Sequence, residues 1–141
     1  MLKLLEELTN APGISGHEEK IREIIIKEIT PYVDEIGIDA MGNLIATKHA
    51  QLSTTMPKSV MLAAHMDEIG LMVRYIDDDG FIFFNQIGGW FDQTLLNQRM
   101  IIHTDKGEYY GVIGSKPPHV MNASDYDKVI KSEDMFIDIG A

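Results

Sequence analysis

Two side chains two positions apart, His65 and Asp67, are the strongest candidates for chemistry in this sequence. They follow Val60-Met61-Leu62-Ala63-Ala64, five apolar residues without alternation. Such a run predicts a strand buried on both faces. His65 then falls at the carboxyl end of that strand, where open α/β sheets bind ligands. If the strand continues for two residues, His65 and Asp67 point to the same side. Imidazole is a common zinc ligand, and its second ring nitrogen usually donates to a carboxylate. Asp67 can supply that carboxylate or orient a neighbouring ligand, which fixes the tautomer and raises ligand basicity. Spacing alone leaves a second reading open, because a histidine beside a turn aspartate is often a plain surface pair.

The remaining polar candidates read as structural. His17 lies in a helix-capping turn and is expected to be solvated. His49 ends a strand beside a polar loop, and His103 sits in a β segment where pairing to a neighbouring strand accounts for it. His119 follows Pro117-Pro118 in a long loop; the structural reading is favoured there, with a contact near an active site or an assembly interface as the alternative. Asp77-Asp78-Asp79-Gly80 resembles the opening of a calcium loop but lacks the closing glutamate, so it predicts a solvated hairpin turn. Trp90 reads as a core or interface residue rather than a sugar platform. Glu68 reads as an exposed neighbour or part of a site wall, and Arg99 as a partner for a carboxylate or an interface residue.

The elements that position these residues follow from periodicity. Leu2, Leu4, Leu5 and Leu8 predict a short opening helix, ended by Pro12 and Gly13. Ser15 and Glu18 have capping-box spacing, and Ile21, Ile24, Ile25 and Ile29 then form one apolar stripe. Pro31 stops this helix. Val33 to Ile38 and Asn43 to Lys48 predict strands around a Met41-Gly42-Asn43 turn, and Gln51 to Lys58 reads as a loop. Beyond residue 68, segments 69–76, 81–87, 100–104, 109–113 and 135–139 are β-like, with Asp/Gly turns between the first four. They predict a small antiparallel β domain, interrupted by a long, mobile loop from Ser115 to Lys131.

A strand buried on both faces needs helices on both sides of its sheet. Only two short helices are predicted, both before residue 31. The N-terminal α/β layer is therefore expected to be completed by residues beyond Ala141 or by another chain.

Bulk properties narrow the function classes. The 141 residues are 45% hydrophobic, enough to build a core. The 12 basic and 22 acidic residues give a net charge of −10. That charge opposes phosphate backbones, so no nucleic-acid partner is expected. No apolar run approaches the roughly 20 residues that span a bilayer, and no membrane partner is expected. The start is too short and too charged for a signal peptide, so the reading is cytoplasmic. Cysteine is absent, so any metal must be held by His, Asp or Glu.

The block Met61-Leu62-Ala63-Ala64-His65-Met66-Asp67-Glu68-Ile69-Gly70 resembles the first metal-site segment of metallopeptidase family 42. That family includes the tetrahedral (TET) and glutamyl aminopeptidases and proteins once labelled cellulases. The resemblance extends through Ala11 to Gly16, Asp39 to Ile45, Gly88-Gly89-Trp90, Leu96 to Arg99, Gly111 to His119 and Phe136 to Ala141. It implies an α/β fold: residues 1–69 as part of a zinc-peptidase-like α/β/α catalytic domain, and residues 70–141 as an inserted β-rich dimerisation domain. It also implies two divalent metal ions, zinc or cobalt, and short peptide substrates cut at their first bond. By the same resemblance His65 is a terminal metal ligand and Asp67 is the catalytic carboxylate that supports the site. Assembly into dimers, and often dodecamers, through the β-rich domain is implied as well.

In that family the bridging Asp, the catalytic Glu with its ligand neighbour, a further Asp and a second His all follow the inserted domain. None has a counterpart in these 141 residues. The expected function is thus a dinuclear metalloaminopeptidase, represented by an N-terminal fragment that is inactive alone. The alternatives are an endoglucanase, which generally needs a carboxylate pair flanking the scissile bond that nothing here singles out, and an inactive assembly module.

Overall fold

The structure, a computed structural model, describes residues 1–51, 58–122, 124 and 127–140. The predicted Gln51 to Lys58 loop falls mostly outside the described residues. The chain divides into two compact units, Met1–Glu68 and Ile69–Ala141.

The first unit holds two helices, α1 (Leu2–Asn10) and α2 (Glu19–Ile29), followed by an antiparallel hairpin of β1 (Glu35–Ile38) and β2 (Leu44–Thr47). The hairpin turn is built by Asp39. Its carboxylate accepts the backbone N–H groups of Met41 and Asn43 and the Asn43 side-chain amide, at 2.8–2.9 Å. Gly42 supplies the left-handed residue that this turn needs, at φ +86°. The Arg22 guanidinium docks α2 on the same turn, donating Nε–H to the Gly42 carbonyl at 3.0 Å.

Two expectations for this unit are corrected. Ser15 does not cap α2, which starts at Glu19 without a side-chain cap. Glu18 instead accepts the Gly16 N–H, and the Ser15 hydroxyl turns to a different partner. The second correction concerns Val60 to Ala64. This run is not a buried strand: it carries no strand pairing, and Val60, Met61 and Leu62 are 84, 87 and 94% exposed. A doubly buried strand needs a ladder neighbour and a layer over each face. Among the described residues of this unit the only named strands are β1 and β2, which pair with each other. Ile21 is its one buried large apolar side chain among the described residues.

The second unit is the predicted antiparallel β domain. Its strands are β3 (Gly70–Ile76), β4 (Ile82–Ile87), β5 (Arg99–Thr104), β6 (Gly107–Ser115) and β7 (Met135–Asp138). They form one sheet in the order β3-β4-β7-β6-β5. The last strand thus enters between β4 and β6, pairing Ile82 with Ile137 and Ile113 with Ile137 across its two edges. Alternation sends Ile82, Phe84, Ile102, Ile113, Met135 and Ile137 to one face, where they pack with Leu95. Leu95, Ile113 and Met135 are fully buried, each contributing about 1.5–3 kcal/mol of transfer free energy. Trp90 packs against this cluster and donates Nε1–H to the carbonyls of Gly70 and Ile87. The opposite face is aromatic: Tyr75 stacks on Phe83 at 4.6 Å and Phe81 meets Phe136 at 4.4 Å.

Asp77 to Gly80 form the predicted hairpin turn, with the Asp77 carboxylate accepting the N–H groups of Asp79 and Phe81. His103 lies opposite Glu108 on the β5–β6 hairpin, at 3.3 Å. His49 is exposed and sits 3.1 Å from Glu35, and His17 is exposed.

Candidate functional site

The first unit brings His65 and Asp67 together with a residue fifty positions upstream. The loop between α1 and α2 lies along residues 66–68. Glu68 donates its N–H to the Gly13 carbonyl at 2.8 Å, and Gly13 returns its N–H to Glu68 Oε1 at 3.0 Å. Ile14 and Glu68 form a parallel bridge. Gly13 is buried at this crossing. A Cβ there would lie 3.2 Å from Ile21 Cγ2 and 3.4 Å from the Met66 carbonyl oxygen, so the close approach favours glycine.

This strap delivers Ser15 to Asp67. The Ser15 hydroxyl donates to Asp67 Oδ2. On the other side, His65 Nδ1 lies 3.0 Å from the Asp67 carbonyl oxygen and 3.1 Å from Asp67 Oδ1. Both oxygens only accept, so Nδ1 carries the proton. In the neutral form of the ring, this tautomer leaves the lone pair on Nε2. The His65 side chain is 86% exposed and that of Asp67 41%, so Nε2 is open to a ligand.

The Asp67 carboxyl is held below its ordinary value. The Ser15 hydroxyl is the largest cause, partial desolvation opposes it, and the His65 ring adds to the lowering. Hydrogen bonds to the charged form favour that form. The carboxylate therefore stays ionised and stays an acceptor for the imidazole.

The donor chemistry fits one share of a metal centre. A histidine whose Nδ1–H is bound to a carboxylate is the usual metal-ligating arrangement. It is not a complete site: among the described residues no group of three or more His, Asp or Glu side chains converges to hold an ion. His119 lies in a short helical turn of the second unit and is exposed.

The matched sequence decides the family. The family model described as M42 glutamyl aminopeptidase covers residues 42–141, the His65–Asp67 pair included. The chain belongs to the M42 glutamyl aminopeptidase family. It is 40% identical over 141 residues to the lysyl aminopeptidase of Pyrococcus furiosus, covering 99% of this chain and 39% of that protein. A TET aminopeptidase from a marine sediment archaeon of the Thaumarchaeota superposes with a TM-score of 0.90 at 36% identity, over 99% of this chain and 38% of that one. The TET1 peptidase of Pyrococcus horikoshii, described as assembling into a tetrahedron or a large octahedral shell, gives 0.81 at 41% identity, over 99% of this chain and 40% of that one. The chain therefore spans about two fifths of the length of these M42 relatives.

Sequence reasoning located His65 and Asp67 but missed Ser15, Gly13 and Glu68 as their supports. Ser15 was absorbed by capping-box spacing. The available signal was the turn-forming string Pro12-Gly13-Ile14-Ser15-Gly16, a loop too structured to be only a helix boundary.

Proposed function

We propose that these residues belong to a metal-dependent aminopeptidase that removes N-terminal residues from short peptides. In this reading His65 Nε2 is a terminal ligand to one of two divalent ions, zinc or cobalt. Asp67 is the carboxylate that orients and polarises it. The observation that carries the reading is the Nδ1–H hydrogen bond of His65 to Asp67, which leaves Nε2 as the exposed lone pair. When bound, the ions supply Lewis-acid polarisation of the scissile carbonyl and of water. The chain's own part is to present one imidazole in a fixed tautomer and keep its partner carboxylate ionised.

The rest of the donor set is assigned to the part of the relatives' length that these 141 residues do not span. The open Val60-Met61-Leu62 strip supports this, because its exposed apolar side chains call for a covering surface that the described residues of this unit do not supply. We assign residues 1–69 to the catalytic domain and 70–141 to an assembly domain. The Pyrococcus horikoshii relative's shells support the second assignment, as do exposed Ile101, Tyr110 and Val112 on the β5–β6 surface.

The test uses a polypeptide carrying these residues at the full length of the relatives. Wild-type protein should release nitroaniline from aminoacyl-nitroanilides and leave soluble cellulose intact. His65→Ala should remove nearly all activity and lower bound metal. Normal activity and metal content in His65→Ala would refute the ligand assignment, and cleavage of cellulose alone would replace the peptidase reading with a glycosidase one.

A further inference from the structure

We propose that Ser15 is a positioning residue for His65, acting through Asp67 to hold the imidazole in the tautomer that exposes the Nε2 lone pair. The inference deepens the ligand reading of His65 and rests on it for its functional meaning. Its structural content stands on separate geometry.

An aspartate on an open segment can rotate its carboxylate freely about its terminal torsion, which is broad and roughly two-fold. Asp67 is constrained on both oxygens: Oδ2 accepts the Ser15 hydroxyl and Oδ1 accepts His65 Nδ1–H. The hydroxyl is therefore the group that keeps Oδ1 turned toward the ring. Without it the carboxylate is free to turn toward water, and Nδ1–H keeps only the neutral Asp67 backbone carbonyl, at 3.0 Å, in place of a carbonyl and a charged carboxylate together.

Ser15 is itself held by backbone. The Gly13–Glu68 exchange fixes the loop before it, and His17 N–H closes a turn onto the Ile14 carbonyl at 2.8 Å after it. Gly16, at φ +90°, donates its N–H to Glu18. The hydroxyl is thus carried by a loop whose neighbouring residues are tied at four points. This arrangement gives the capping-like string from Ser15 to Glu18 a purpose other than starting α2. It also explains why a residue so far upstream in sequence governs the orientation of one imidazole.

Nitrogen NMR of the histidine rings tests this in the 141-residue chain without metal, at about pH 8.5, with the tautomer ratio read from the neutral ring. Wild-type His65 should be predominantly Nδ1–H. Ser15→Ala and Ser15→Val should each shift the Nδ1–H to Nε2–H ratio by about three- to tenfold toward Nε2–H, the scale of one lost hydrogen bond. Ser15→Thr, matched in shape to valine but keeping the hydroxyl, should retain the wild-type ratio. A merely structural serine would lower stability in the alanine and valine variants and leave the ratio of the folded chain unchanged. That result overturns the proposal, as does a wild-type ring found mainly as Nε2–H, or a threonine variant that shifts as far as valine. Should the alanine variant not fold, the threonine–valine comparison carries the test. Titration with zinc separates the two readings. A ratio that follows the hydroxyl, in a ring whose Nε2 never responds to zinc in the full-length protein, keeps the positioning role and removes the ligand role.

Discussion

Gly13 and Glu68, fifty-five residues apart, exchange two hydrogen bonds, one from each backbone N–H. Together with the Ile14–Glu68 bridge, this contact ties the interhelical loop to the segment carrying His65 and Asp67. It is long-range closure on a small unit, so its loss should be felt both in stability and in the geometry of the pair.

Gly13→Ala places a methyl 3.2 Å from Cγ2 of Ile21, the one buried large apolar side chain among the described residues of the unit. Overpacking of this kind costs typically about 1–3 kcal/mol. Glu68→Ala removes the acceptor of the Gly13 N–H and should cost about 1 kcal/mol. Both named α-helices lie in the first unit and the single Trp90 lies in the second. Helical circular dichroism should therefore report the loss in urea, while Trp90 fluorescence holds its wild-type midpoint. Equal shifts in both signals would show that the damage is not local.

The β domain was legible because alternation and Asp/Gly turns are local signals. β3, β4, β5, β6 and β7 all lie within one or two residues of their expected bounds. What no local signal carried was the insertion of β7 between β4 and β6, which pairs residues separated by the whole 116–134 connection. The run from Val60 to Ala64 failed for the opposite reason. Its hydrophobicity describes a strand among neighbours, and no strand of its unit lies beside it among the described residues. At the site, His65 and Asp67 were recognisable by residue type, whereas Ser15 was claimed by the competing capping pattern. Only tertiary closure through Gly13 and Glu68 shows which partner wins.

The Asp39 turn gives a pH dependence with a defined sign. Asn43 is the main cause that lowers the Asp39 carboxyl below its ordinary value, through its side-chain amide and its backbone N–H. A lowered folded-state pKa contributes stability above the unfolded value, and that contribution is lost as pH falls through the folded one. The stability gap between wild type and Asp39→Ala should therefore be full near neutral pH and close below about pH 4. In Asn43→Ala the Asp39 carboxyl should titrate closer to the ordinary value, read by carbon NMR. An unchanged Asp39 midpoint in that variant would reject Asn43 as the cause.

In the second unit, burial separates stability from assembly. Ile113 is fully buried in the cluster around Leu95 and Met135. Ile113→Ala should destabilise the unit by about 2–5 kcal/mol, visible as an earlier Trp90 fluorescence transition. Ile101 is half exposed on the other face, opposite Tyr110. Ile101→Asp should leave that transition within about 0.5 kcal/mol of wild type, as expected of a surface change. Light scattering of the full-length protein then asks whether it reduces assembly. Unaltered mass in Ile101→Asp would move the proposed contact off the β5–β6 surface.

Asp67 distinguishes a supporting carboxylate from a spectator. In Asp67→Asn the side-chain oxygen can still accept His65 Nδ1–H, but neutrality weakens that bond. The new amide can instead donate to Nδ1, which places the ring proton on Nε2 and blocks the lone pair that the ligand reading requires. Either effect should lower metal affinity or rate by about 10–100-fold in the full-length protein, the range for loss of an outer partner of a metal-bound histidine. The fold should survive, because Asp67 is partly exposed and the Gly13–Glu68 exchange does not involve its side chain. Direct metal titration monitored by calorimetry, with helical circular dichroism as the control for folding, checks both parts. Wild-type affinity and rate in a folded Asp67→Asn protein would reduce the aspartate to a surface partner of His65.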